Sequence, residues 1–121
     1  MNTLFVYGTL MTGKVNYQRF LEGQEFLGSA ILNGYALYNL GWYPGAIKSD
    51  NCEDKVKGEV FRIDDNALRQ LDYLEDNGGL YIRKFEKVHL NDGLTLEAYV
   101  YEYQKAVREE DKVDYLNQPW G

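Results

Sequence analysis

Short apolar runs of strand length, broken by polar or glycine-containing segments, make up most of this chain. Leu4–Tyr7 is the first, rich in the aromatic and β-branched residues that suit a pleated backbone. Glu25–Asn33 and Gly34–Leu40 follow, separated or bent at Asn33-Gly34, a strong turn dipeptide. An extended run resumes at Tyr43–Ile47, where Pro44 predicts an edge or a bend. Val56–Ile63 reads as a further strand, and Tyr81–Leu90 and Thr95–Tyr103 flank Asn91-Asp92-Gly93, the clearest hairpin signal. In that last strand Tyr99, Tyr101 and Tyr103 share one face, while Leu96, Ala98 and Val100 share the other.

Helical spacing occurs in two places. Asn16–Leu21 predicts a short helix with Tyr17, Phe20 and Leu21 on one side. A second helix is expected from about Asn66 to Glu75, with a cap at Asp64-Asp65-Asn66 and a stop at Asn77-Gly78-Gly79. Ser49–Lys55 reads as a loop, and the charged tail from Lys105 is expected to wrap the surface, with Trp120 apolar enough to dock. These elements do not alternate as βαβ units. The expectation is one domain over residues 1–121, of α+β class, whose mainly antiparallel sheet closes into a small barrel.

Composition narrows the function. Eleven tyrosines among 121 residues suggest either a β-rich core filled by Tyr or a polar-lined cavity, since Tyr tolerates being half wet. The net charge of −6 and the absence of a dense Lys/Arg cluster argue against nucleic acid and against an anionic membrane surface. No apolar stretch approaches membrane-spanning length, and the N-terminus does not read as a signal peptide. Cys52 is the only cysteine, which excludes an internal disulfide and fits a reducing cytoplasm.

Two segments carry candidate chemistry. A strand enters Tyr7-Gly8-Thr9-Leu10 without a polar spacer, and Gly8 permits a bend or a close approach by another molecule. A bend there would release successive N–H groups from the sheet and aim them together as an anion-binding concavity. Far along the chain, Leu68, Leu71, Asp72 and Glu75 fall on one helical stripe. On that stripe Glu75 is either drawn inward, where lost water and the negative helix end raise its pKa toward a general base's, or left in solvent against Arg83 or Lys84. Asp72 is the rival, as base, as orienter or as a cap for neighbouring backbone. His89, near a hairpin tip, and Cys52 make a poor nucleophilic pair. Asp50, Glu53 and Asp54 lack the spaced partners of a metal site. Gly41–Gly45 matches no phosphate loop.

Together, FVYGTLMTGKVNYQRFL, Pro44-Gly45-Ala46, VKGEVFRID and LRQLDYLEDNGGLYIRKFEKV resemble, in order, segments of the gamma-glutamylcyclotransferase-like family, closest to gamma-glutamylamine cyclotransferase. The resemblance spans Leu4 to about Tyr103. It implies a small barrel of mixed strands with flanking helices and an activity without a cofactor. The reaction implied is cyclisation of a gamma-glutamyl group to 5-oxoproline with release of an amine. It also implies that Glu75 is the catalytic acid/base and that Tyr7, Gly8, Thr9 and Leu10 form the substrate-binding loop. The partner expected is a small gamma-glutamyl molecule, acted on by a monomer or weak homodimer. One departure is visible: the family often has Gly directly after the catalytic Glu, whereas Asp76-Asn77 precede Gly78-Gly79 here. Two other readings stand beside the enzyme: a non-catalytic module that binds a small ligand in the same cavity, and a structural protein that dimerises through its Tyr-rich strands.

Overall fold

The computed structural model describes residues 1–121. Seven strands and two short helices follow one another as β1 (Asn2–Val6), α1 (Tyr17–Phe20), β2 (Glu25–Asn33), β3 (Tyr35–Asn39), β4 (Pro44–Lys48), β5 (Lys55–Ile63), α2 (Asp65–Leu74), β6 (Tyr81–Leu90) and β7 (Thr95–Tyr103). Two 3₁₀ turns, Glu109–Asp111 and Tyr115–Asn117, lie in the tail.

Five strands form a closed ring. β1 pairs antiparallel with β5, β5 with β2, β2 with β6 and β6 with β7, and β7 returns to β1 in parallel through Leu4 and Tyr99. β4 adds to the outside of β7, also in parallel, and carries β3 antiparallel on its far side. The α+β barrel is therefore mixed and mainly antiparallel, as expected. Of the edge or bend expected at Pro44, the structure has the bend: β4 has neighbours on both sides, and Pro44 is its first residue, directly after the turn at 41–43.

Alternation along the strands sorts side chains into two cores. Phe5 and Tyr7 from the first segment, with Val60, Val88, Ala98 and Val100, fill the barrel interior. Leu4, Val6, Phe61 and Tyr101 point the other way and meet Leu68 and Leu71 of α2 and Leu21 just after α1. Gly58 makes room for that interior, since a Cβ there would fall 2.6 Å from the Phe5 ring.

The tail does more than wrap. The buried Gln118 side chain accepts from Lys57 N at 2.8 Å and donates to Lys55 O at 3.1 Å and Val113 O at 3.2 Å. Trp120 packs against both cores and donates from Nε1 to Asn39 Oδ1 at 3.1 Å. No helix is long and apolar enough to cross a membrane.

Candidate active site

The end of β1, the start of β4 and the end of α2 meet at one mouth of the barrel. β1 stops pairing at Val6, and residues 8–11 turn through a Met11 N–H to Gly8 O bond of 3.1 Å. Asn16 ties the turn down: its N–H donates to Thr9 O at 2.9 Å and its Nδ2 to Thr9 Oγ1 at 2.9 Å. The N–H groups of Gly8, Thr9 and Leu10 donate to no acceptor of the chain, because the bend has lifted them out of the sheet. The bend does not use a left-handed glycine. Gly8 is required by a close approach, as a Cβ there would lie 2.7 Å from the Pro44 ring.

Glu75 is held from the other side. Asp64 caps α2 by accepting from Ala67 N at 2.7 Å, and the buried Leu68 and Leu71 fix which face turns inward. Glu75 is the C-cap, its N–H bonded to Leu71 O at 2.9 Å, and its half-buried side chain carries no hydrogen bond or ion pair within the chain. Burial pushes its carboxyl up to about 7 from an ordinary 4.5. Of the two dispositions open to Glu75 in the sequence, the structure has the inward one. Arg83 instead faces Asp72, Nη1 to Oδ2 at 3.1 Å, and Tyr101 donates its hydroxyl to Asp72 Oδ1 at 2.6 Å. With both oxygens engaged, Asp72 orients neighbours, while the carboxylate of Glu75 is unclaimed.

Both segments line one cavity of about 330 Å³. Gly8, Thr9, Leu10 and Glu75 share its wall with Tyr7, Tyr81 and Tyr101. Each phenol is fixed by a hydrogen bond: Tyr7 to Tyr101 O at 2.6 Å, Tyr81 to Pro44 O at 2.8 Å, and Tyr101 to Asp72. Tyr7 also accepts from Ala46 N at 3.1 Å. Burial above all, with the nearby charge of Glu75 adding to it, raises all three phenols far above the usual tyrosine range. They are therefore neutral fixed dipoles rather than bases.

The 4–121 segment matches the model of the family described as "Gamma-glutamyl cyclotransferase, AIG2-like". The chain belongs to that family. The gamma-glutamylcyclotransferase family protein YtfP of Escherichia coli K12 is 36% identical over 104 residues, covering 86% of this chain and 84% of the relative. A gamma-glutamylaminecyclotransferase of Bos taurus is 36% identical over 107 residues, 81% of this chain and 63% of the relative. The crystal structure of an AIG2-like protein from Mus musculus superposes with a TM-score of 0.78 at 26% identity, covering 92% of this chain and 82% of that one. This chain is accordingly an enzyme of gamma-glutamylcyclotransferase type.

The departure after Glu75 has a local explanation. Asp76 takes φ 52, the left-handed conformation that Gly adopts without cost and Asp adopts at modest cost. Its Oδ2 accepts from Leu80 N at 3.0 Å, and the same carboxylate lies so close to Gly79 that no Cβ fits there. Of the remaining candidates, Asp54 is bound by Ser49 Oγ at 2.6 Å and Lys112 Nζ at 3.0 Å, and His89 faces Thr95 at 3.2 Å. None of these lines the cavity. Nothing in the sequence singled out Tyr81, Tyr101, Asn16 or the wall of Val15, Trp42 and Leu74. The tyrosine surplus was a signal for the two tyrosines alone.

Proposed function

We propose that this enzyme converts a gamma-glutamyl compound into 5-oxoproline and a free amine, with Glu75 moving the protons. The observation that carries this reading is the shared cavity wall, where an unpaired carboxyl raised to about 7 faces a loop with three unbonded N–H groups. A gamma-glutamyl group holds its own nucleophile. Once its α-nitrogen is deprotonated and brought against the γ-carbonyl, a five-membered lactam closes.

Glu75 as carboxylate takes a proton from the α-ammonium. The nitrogen lone pair attacks the γ-carbon, the C–O π electrons move to oxygen, and a tetrahedral intermediate forms. Its collapse re-forms the carbonyl and breaks the bond to the leaving nitrogen, which Glu75 protonates. Across the reaction the α-nitrogen gives up two protons and the leaving nitrogen gains two, so the amine departs as an ammonium ion. The N–H groups of Gly8, Thr9 and Leu10 hold either the substrate carboxylate or the developing oxyanion, and Tyr7 walls the pocket beside them. Holding the chain in the attacking pose supplies about 7–11 kcal/mol, and a positioned base roughly 10²–10⁴-fold. The neutral, apolar-walled pocket keeps Glu75 basic enough for that step. A reducing cytoplasm suits the exposed Cys52 thiol.

The test is 5-oxoproline release from a gamma-glutamyl amine. Native protein should produce it, and Glu75→Gln, which keeps the shape and removes the base, should lose roughly 10²-fold or more in kcat. Turnover by Glu75→Gln at the native rate would refute the assignment. Substrate binding without turnover by the native protein would favour the non-catalytic module.

A further inference from the structure

Resting on that reaction, we propose that the leaving-group side of the cavity selects uncharged, apolar amines, with Trp42 as its main determinant. Charge matching leads to this. The gamma-glutamyl head brings one carboxylate and one ammonium, and with the N–H row of the first loop taken as the carboxylate's place, the site offers one row of donors and one carboxyl to meet them. Glu75 is the only Asp, Glu, Lys, Arg or His in the cavity wall. A leaving amino acid would add a carboxylate with no cation to receive it, and a leaving lysine would add a carboxylate and an ammonium. The charged groups nearby are otherwise engaged. Arg83 faces Asp72 at 3.1 Å, and Lys14, beside the lining residue Val15, sits over the Trp120 ring at 6.0 Å from its centre. The carboxylate of a leaving glycine, one carbon from the scissile nitrogen and inside the wall, would lose water without gaining a partner, which is strongly disfavoured; at the open rim a charge forgoes only apolar contact with Trp42.

What the wall does offer is apolar surface at the mouth. Trp42 is 91% exposed and Val15 80% exposed, with Tyr43 and Leu74 also partly open to solvent. Trp42 is not a stray side chain. It stands at the tip of the β3–β4 turn, which is closed by Leu40 N to Tyr43 O at 3.0 Å and Gly41 N to Asn39 Oδ1 at 3.2 Å. The turn thus presents a wide aromatic face where an amine substituent leaves the pocket.

The test is kcat/KM for 5-oxoproline release from a series with one head and varied amines: gamma-glutamyl methylamine, n-butylamine, n-hexylamine and benzylamine, with gamma-glutamylglycine and ε-(gamma-glutamyl)lysine as charged comparators. The expected result is a rise of about two- to fourfold per added methylene, benzylamine ahead of gamma-glutamylglycine by at least roughly tenfold and ahead of ε-(gamma-glutamyl)lysine, and a benzyl-to-methyl ratio that falls about tenfold in Trp42→Ala and is kept in Trp42→Phe. Because the side chain is exposed, Trp42→Ala leaves the core packing intact. A flat series, faster turnover of either charged compound, or an unchanged ratio in Trp42→Ala would overturn the inference while leaving the reaction standing. No 5-oxoproline from any compound would remove the reaction and this inference together.

Discussion

Above neutral pH, Glu75 costs the protein stability. Its pKa is raised on folding, so the folded state holds the proton more tightly than the unfolded chain does. Stability from this group is therefore complete below its ordinary 4.5 and falls as pH rises to about 7, above which the carboxylate is charged in both states. Glu75→Gln, neutral throughout, should raise the unfolding free energy by roughly 1–3 kcal/mol at pH 8 and change it little at pH 4. Urea melts at the two pH values check this, and equal midpoint shifts at both would contradict it. Asp72 shares the helix face but not the situation, since Tyr101 and Arg83 occupy both its oxygens. Spacing alone puts the two acids on one stripe. It does not tell which carboxylate finds a partner, because Tyr101 and Arg83 arrive from β7 and β6.

At the scale of elements, the strands and α2 were legible because alternation, an Asp cap and Asn-Gly or Asp-Gly turns act locally. The seven strands fall within a residue or two of where those signals put them. The position of β4 was not legible, as its parallel pairing with β7 rests on contacts across more than fifty residues. The same holds for Gly8. Its sequence context suggests a bend or a close approach by another molecule; the chain does bend there, and what comes close is Pro44 of the same chain. Gly8→Ala should force the loop and the Pro44 ring apart, lowering stability by about 1–3 kcal/mol and weakening substrate binding. A crystal structure of the variant with the loop unmoved would count against this account. The tail is a second such element. Gln118→Ala strands Lys57 N and Lys55 O, part-buried in β5, and should cost about 1–3 kcal/mol in a denaturant melt. No loss would mean the tail only lies on the surface.

For the whole molecule, the barrel turns two unremarkable segments into a site. Closure through β1 and β7 fixes the first bend at one mouth, and α2, packed on the outer wall through Leu68 and Leu71, delivers Glu75 to the same mouth. The family was legible because four segments occurred in the right order, each of them common alone. Tyr7 was legible through the first segment, whereas Tyr81 and Tyr101 were legible only as an excess of one residue type, since the sheet and not spacing brings them beside it. The proposed activity stands on the ionisation of Glu75 controlling turnover. Its most direct measurement is the pH dependence of kcat/KM for 5-oxoproline release, native protein against Glu75→Gln. The rate should climb with pH through an apparent pKa near 7 in the native protein and show no such limb in the variant. A profile that is flat across that range, or the same limb in both proteins, would contradict it.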